Sequence, residues 1–178
     1  MSKRTRRALI AGLCGLCGLL GWQSTLAGTA PQDLKAFARE FTEDVYNQQH
    51  RDRIPDYIHP DFVDHSPGAP PDARGPGFVA TQYDATFGAF PDLKFELLDV
   101  LVDGDKVVLR WASHATFRGK LGAVAGHGQP VTVHGTSIFR VQDGKIIESW
   151  DVVDRLAMLR QAGFEVTPPK AADPAAKP

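Results

Sequence analysis

Apolar residues recur at helical spacing near the start of the predicted domain. Leu34, Phe37, Phe41 and Val45 stand three or four positions apart with polar residues between them. This period places the four side chains on one face and predicts an amphipathic helix. Asp33 is a suitable N-terminal cap for that helix, because its carboxylate can accept a hydrogen bond from a free backbone N–H.

Two more segments of the first half carry helix signals. Residues 51–68 predict a second short helix followed by a brief extended segment. Residues 75–92 predict a third helix, which Gly75-Pro76 opens and which Pro91 cannot continue. The first half of the domain is therefore predicted to be mainly helical.

The pattern changes to strands after residue 92. Residues 93–117 predict two strands joined at Asp103-Gly104-Asp105, and residues 131–154 predict a hairpin that turns at Asp143-Gly144. A glycine-rich loop, 119–128, separates the two hairpins, and a short helix closes the domain. Helices followed by hairpins predict an α+β fold, in which N-terminal helices wrap a curved antiparallel sheet into a cone with one open mouth.

The segment before the first helix has the pattern of an export signal. A basic start, MSKRTRR, precedes an apolar run that is too short for a comfortable membrane span, and small residues end at Ala27. We predict a secretory signal over 1–27, a domain over 31–166 and a disordered Pro/Ala tail over 167–178. The protein is expected to be periplasmic or secreted through a Sec or twin-arginine signal, without stable membrane association after cleavage.

Cysteine use and charge exclude several classes of function. Both cysteines, Cys14 and Cys17, lie in the predicted signal, so the mature chain has no disulfide and no thiolate chemistry. The whole chain has 20 basic and 21 acidic residues, and four of the basic ones fall within 1–27. The remainder therefore has 16 basic residues and a net charge of −5, which argues against a nucleic-acid partner.

The last predicted strand carries candidate chemistry. Simple alternation puts Ile146, Glu148, Trp150 and Val152 on one face and Ile147, Ser149, Asp151 and Val153 on the other. A carboxylate in an apolar pocket would suit acid/base catalysis, with Trp150 as pocket wall. The alternative is a solvated edge with Trp150 in the core, and the spacing does not decide between Glu148 and Asp151.

The histidines give weaker signals. His59, Asp61, Asp64 and His65 are metal-ligand types, but their spacing matches no metal motif, so we predict no metal and place His65 at a pocket rim. His114 and His134 fall on neighbouring strands, where each is either a proton shuttle or a structural histidine. Ser137 lacks the context of a nucleophile.

The ordered segments HPDFVDHSP, RGPGFVA, FPDLKFELLDVLVDGDKVVLRW, FRGKLGAVAGHGQPV and SIFRVQDGKIIESWDVVDRLAMLRQAGF resemble the SnoaL-like polyketide cyclases. These form a branch of the nuclear-transport-factor-2-like superfamily, and the resemblance covers roughly residues 34–166. It implies an α+β cone that is often dimeric through the sheet. It also implies intramolecular aldol ring closure on a polyketide methyl ester, without cofactor or metal.

The resemblance also suggests site residues. The family's acid/base aspartate corresponds to Asp151, a second aspartate to Asp154, the helix tyrosine to Tyr46, and the pocket asparagine to Gln82. Ser137 occupies the place of the family's strand histidine, and His134, three residues earlier, is the substitute we consider. His127 has no counterpart in the family's loop.

We therefore expect a cofactor-free acid/base enzyme of the SnoaL-like type that acts on a small apolar carbonyl or ester compound. Asp151, His134 and Gln82 are the expected catalytic residues. The expected substrate-binding residues are Tyr46, Trp150, His65, Ser137 and Asp154. The alternatives are an exported protein that binds a hydrophobic small molecule without catalysis, and an epoxide-hydrolase-like hydrolase. The protein is expected to form a homodimer.

Overall fold

The computed structural model describes residues 31–165 and residue 167. The predicted signal, 1–27, and nearly all of the predicted tail lie outside the described residues. Within these residues, no helix has the length and apolar character needed to cross a lipid bilayer.

The helices of the first half agree with the sequence pattern. Helix α1 spans Pro31–Phe41 and continues as a π-helical segment, Thr42–Asn47. A 3₁₀ turn, Arg51–Arg53, and the short helix α2, Ile54–Tyr57, come next. Leu34, Phe41 and Val45 are buried, as their spacing predicted. Asn47 ties the end of the π-helical segment to Phe95, donating to its carbonyl at 3.0 Å and accepting from its N–H at 2.7 Å.

The π-helical segment has a consequence for the interior. π-Helical turns are uncommon and often occur at functional sites, because they rotate the side chains that follow them. Thr42 in this segment donates its hydroxyl to the Ala38 carbonyl at 2.8 Å. Tyr46, four residues later, lies along the interior cavity described below.

The α+β fold class is confirmed: a curved five-stranded sheet is packed against the N-terminal helices. The strands are β1 (Ile58–Asp64), β2 (Lys94–Asp103), β3 (Lys106–Phe117), β6 (Gln129–Gln142) and β7 (Lys145–Val153), in the order β1-β7-β6-β3-β2. The two predicted hairpins are present. Asp143 and Gly144 both adopt positive φ, at 52° and 75°, as a two-residue hairpin turn requires.

The sheet differs from the expected antiparallel one at its edge. The predicted extended segment after α2 is β1, and it pairs with β7 in parallel. A parallel pair needs a long connection between its strands. Here that connection includes α3 (Gly75–Ala89) and three strands of the sheet, so β1 lies beside a strand more than 80 residues away.

The glycine-rich loop folds into a small hairpin of its own, with strands β4 (Lys120–Leu121) and β5 (Val124–Ala125). It is tied to the end of β3, where the Gly128 N–H donates to the Phe117 carbonyl at 2.9 Å. Gly119 packs directly on the end of α3, and a Cβ there would lie 1.7 Å from the Gly88 carbonyl oxygen. This contact brings Leu121 over the cavity.

The last helix, α4, spans Arg155–Gln161, as predicted. Its cap is Asp154, whose Oδ1 accepts a hydrogen bond from the Ala157 N–H at 2.9 Å. Gly163 follows the helix with φ 89°, a conformation that favours glycine at a helix end.

Candidate functional site

A cavity of about 550 Å³ lies between the inner face of the sheet and the helices. This volume suits a small organic ligand. The lining is mainly apolar, and its aromatic members are Phe41, Tyr46, Phe62, Phe78, Phe90, Phe95, Trp111 and Phe139. Its polar side chains are fewer and include the carboxyl groups of Asp64 and Asp151.

A bulge in β7 decides which of its acids faces this cavity. Arg140 pairs with Glu148 and Val141 with Ile146, so Ile147 is an extra residue in the ladder. The bulge breaks the simple alternation of the strand. Asp151 thereby shares the inner face with Ile146, and both line the cavity.

The Asp151 carboxyl lies in a ring of serine hydroxyls within an otherwise apolar wall. Ser137 is directly across from it on β6, and Ser66 Oγ is 3.3 Å from its Oδ2. Burial raises the pKa of Asp151 above its ordinary value, because ionisation is unfavourable away from water. The hydrogen bond from Ser137 acts in the opposite direction, while the charge of Asp64 raises the pKa further.

Asp64 and Ser66 were not among the predicted site residues. Asp64 is the last residue of β1 and pairs with Ser149 of β7, and Ser66 lies two residues later. The ladder continues as the His65 N–H donates to the Ser149 carbonyl at 2.8 Å. Asp64 had been considered only as a metal-ligand type, and the signal for Ser66 was a polar DHS triplet after an apolar strand. The parallel pairing of β1 with β7 is what brings them to Asp151.

Ser137 is buried and takes part in a second contact. Its Oγ accepts a hydrogen bond from Trp111 Nε1 at 3.0 Å. Trp111 has room for this geometry because its partner across the ladder is Gly135, where a Cβ would lie 2.2 Å from the indole Cζ2. Ser137 thus connects the apolar wall to Asp151.

Tyr46 and Gln82 both line the cavity. Burial, with the nearby charge of Asp151 as the next cause, raises the pKa of Tyr46, so its hydroxyl keeps its proton and can donate a hydrogen bond. Gln82 lies on α3 and is exposed, which places its amide at the mouth. These two and Ser137 are the predicted residues that line the same cavity as Asp151.

Three predicted residues lie on the outer face of the sheet instead. His134 is exposed and belongs to the outer surface of β6. Trp150 points away from the cavity because of the bulge, and its ring stacks on His65 with centroids 4.9 Å apart. Glu148 lies on the same outer face and accepts hydrogen bonds from Arg140 and His65. The hydrogen bond from Arg140 is the main reason that the pKa of Glu148 is lowered.

Asp154 is occupied as the α4 cap and does not line the cavity, but the next residue does. Arg155 brings a guanidinium group to the rim, and sequence reasoning did not select it. Arg155 has no ion-pair partner among the described residues.

The remaining histidines are at the surface. His59 lies near the exposed Asp61, His114 is 3.2 Å from the Thr132 hydroxyl, and His127 is exposed on the β5–β6 connection. Over residues 31–165, no cluster of three or more histidine, cysteine or acidic side chains has the geometry to hold a metal ion.

Similar structures carry the same fold. AclR from Streptomyces galilaeus, described as a candidate hydroxylase, is 28% identical with a TM-score of 0.67, over 75% of this chain and 98% of its own. IdmH from Streptomyces antibioticus, described as a candidate polyketide cyclase, is 27% identical with a TM-score of 0.65, over 76% and 99%. A candidate polyketide cyclase from Acidithiobacillus ferrooxidans, at 24% identity and a TM-score of 0.66 over 71% and 92%, agrees in fold.

A comparison with curated proteins gives no match. The family model described as SnoaL-like polyketide cyclase matches residues 36–162, which span both hairpins, the cavity and Asp151. The chain therefore belongs to the SnoaL-like polyketide cyclase family.

Proposed function

We propose that this protein is a cofactor-free acid/base enzyme that acts on a small, mostly apolar carbonyl or ester compound, with Asp151 as general acid/base. The observation that carries the proposal is the position of Asp151, a carboxyl group of raised pKa in the wall of a largely apolar cavity. A carboxylate of raised pKa is a stronger base than an exposed one, and burial removes the water that would compete for the proton.

The reaction follows from the groups around the cavity. The Asp151 carboxylate takes a proton from a carbon next to a carbonyl group, and the electron pair moves to the carbonyl oxygen. Tyr46 and Gln82 donate hydrogen bonds to this developing enolate, which lowers the barrier to its formation. The enolate carbon then attacks a second carbonyl of the same molecule, and Asp151 returns its proton to the new alkoxide. The product is a ring of unchanged mass.

This assignment changes the roles expected from the sequence. His134 lies on the outer face of the sheet, so the enolate contacts go to Tyr46 and Gln82 alone. Ser137 takes the position of the family's histidine, and its hydroxyl supports Asp151 rather than exchanging protons with the ligand.

The test is the Asp151→Asn variant, assayed with polyketide-like keto esters that can close a ring. We expect turnover to fall by about 10²- to 10⁴-fold, the usual contribution of a positioned general base. Asp143→Asn is the matched control. It removes a charge from the same hairpin, and asparagine accepts the positive φ of that turn position. Equal turnover in wild type and Asp151→Asn would refute the role of Asp151.

A hydrolase is the second candidate, because Asp64 and Asp151 both line the cavity. A protonated acid and an ionised one can divide the work of opening an epoxide. The first protonates the epoxide oxygen, and the second takes a proton from the attacking water. The products separate the candidates, since hydrolysis adds the mass of one water and ring closure adds none. A ligand retained in native mass spectra, without turnover of keto esters or epoxides, would support the non-catalytic binding alternative.

We further propose that the protein is exported through residues 1–27 to the periplasm or the medium. The support is the basic and apolar pattern of that segment. Cell fractionation and N-terminal sequencing of the mature protein test this: full-length protein in the cytoplasm would overturn it.

A further inference from the structure

A single hydroxyl joins the two carboxyl groups of the cavity. Ser66 Oγ lies 2.5 Å from Asp64 Oδ1 and 3.3 Å from Asp151 Oδ2, and it also accepts a hydrogen bond from the Asp151 N–H at 2.9 Å. Asp64 Oδ1 receives two further donors, the Ser66 N–H at 2.8 Å and the Ser149 hydroxyl at 3.3 Å.

The single proton of the Ser66 hydroxyl limits how these contacts are made. A serine hydroxyl has one proton to donate and two lone pairs to accept with. The shorter contact assigns the Ser66 proton to Asp64, whose Oδ1 accepts three hydrogen bonds. The contact between Ser66 and Asp151 Oδ2 is then a hydrogen bond only if Asp151 carries the proton and donates it to Ser66 Oγ.

We propose that Asp64 and Ser66 are positioning residues for the Asp151 proton: before substrate binds, the Asp151 carboxyl donates this proton to Ser66 Oγ beside the charge of Asp64, and turnover begins in molecules whose Asp151 has lost it. The inference rests on the proposed role of Asp151 as acid/base. Two neighbouring carboxylates in the wall of an apolar cavity repel each other, so one carboxyl group of such a pair keeps its proton to higher pH. The position of Ser66 and the hydrogen bonds to Asp64 determine which of the two carboxyl groups keeps the proton.

The other groups that face Asp151 do not provide a competing partner for its proton. From the π-helical segment comes Tyr46, which stays neutral, and from β6 and β7 come the uncharged hydroxyls of Ser137 and Ser149. From α3 comes the uncharged amide of Gln82, and from α4 the guanidinium of Arg155, which is exposed at the rim. Asp64 is thus the one negative charge among the described groups that line the cavity with Asp151.

The proposal predicts how Asp151 titrates when the cavity is empty. Carbon-13 NMR of aspartate-labelled protein follows each carboxyl carbon with pH, and the spectrum of Asp151→Asn identifies the Asp151 signal. Asp64→Asn keeps the acceptor oxygen for Ser66 and removes the charge. We expect it to lower the Asp151 midpoint by about one pH unit or more. Asp61→Asn is the matched control, since Asp61 lies on the same strand and its side chain is 87% exposed, and the midpoint should not move.

Ser66→Ala tests the direction of the hydrogen bond. If Ser66 accepts the Asp151 proton, its removal lowers the Asp151 midpoint, and Ser66→Thr, which keeps the hydroxyl, restores it. A midpoint that rises in Ser66→Ala would show that Ser66 donates to an Asp151 carboxylate, and the proposal would be wrong. An unchanged midpoint in Asp64→Asn would overturn it equally, and that variant is testable even if Ser66→Ala does not fold.

This titration needs no substrate, so it is independent of the turnover test. A lowered midpoint in Asp64→Asn together with an inactive wild type would leave the carboxyl pair in place and reject the enzyme. Turnover that depends on Asp151, with no change of midpoint in Asp64→Asn, would keep the enzyme and reject the pair. Where both hold, the rise of the turnover rate with pH should move to lower pH in Asp64→Asn, because Asp151 then loses its proton earlier.

Discussion

The Asp151 side chain lies in a buried position where ionisation is unfavourable, so the free energy of unfolding depends on pH. Its pKa in the folded protein lies above the ordinary value of 3.8. As pH rises past 3.8, Asp151 loses its proton in the unfolded chain but keeps it in the folded protein. The free energy of unfolding therefore falls with pH until Asp151 also ionises in the folded state, by about 1.4 kcal/mol for each unit of pKa shift.

The Asp151→Asn variant should therefore be more stable than wild type. The variant lacks the ionisation, so we expect a higher free energy of unfolding than wild type above the raised pKa and a shrinking difference toward low pH. Urea denaturation at a series of pH values measures this. A variant that is less stable than wild type across the whole series would contradict the account of Asp151 as a buried, unfavourable acid.

The acids of β7 also show where local sequence reasoning stops. Glu148 and Asp151 were both candidates, and strict alternation placed them on opposite faces without saying which face was inside. The bulge at Ile147 resolves this, because it puts Ile146 and Asp151 on the same side. A bulge depends on the partner strand, and nothing in the strand's own period announces it. The strand's period also did not show that Trp150 lies on the outer face of the sheet, so Trp150 was expected in the pocket wall.

At the scale of the elements, sequence signals succeeded where the structure is local. The first helix followed from the 3.6-residue period, and the hairpin turns followed from Asp-Gly pairs. The parallel pairing of β1 with β7 is not local, and neither are the contacts it creates. Asp64 and Ser66 were missed because Asp151 is far away along the chain, 85 residues beyond Ser66.

Asp154 belongs to an element rather than to the cavity, and this can be tested. Asp154→Ala removes the hydrogen bond to the Ala157 N–H and should lower the free energy of unfolding by about 1 kcal/mol, the usual effect of losing an N-terminal cap. The KM for any substrate should be unchanged. A raised KM with unchanged stability would return Asp154 to the binding site that the family comparison suggested.

At the scale of the whole molecule, the outer face of the sheet is a candidate surface for association. Leu101 and Val152 are 61% and 64% exposed on it. Exposed apolar side chains on one face favour association, and we propose that two copies of the chain pair through this face as a homodimer.

Substitution of Val152 tests the homodimer. We expect the purified protein to have the mass of two chains by size-exclusion chromatography with light scattering, and Val152→Lys to reduce it to the mass of one. The control is Val124→Lys, which places the same charge at an exposed valine of the β4–β5 hairpin. A monomeric wild type, or a dimer that both variants retain, would reject this interface.

The absent side chain at Gly135 has a consequence for how this protein can diverge. Any larger residue there would displace the Trp111 ring, and that ring both shapes the cavity and donates to Ser137 beside Asp151. A substitution at Gly135 or Trp111 that reshapes the cavity for a different ligand therefore also alters the hydrogen bonding beside Asp151. At these two positions, cavity shape and the environment of the Asp151 carboxyl therefore change together.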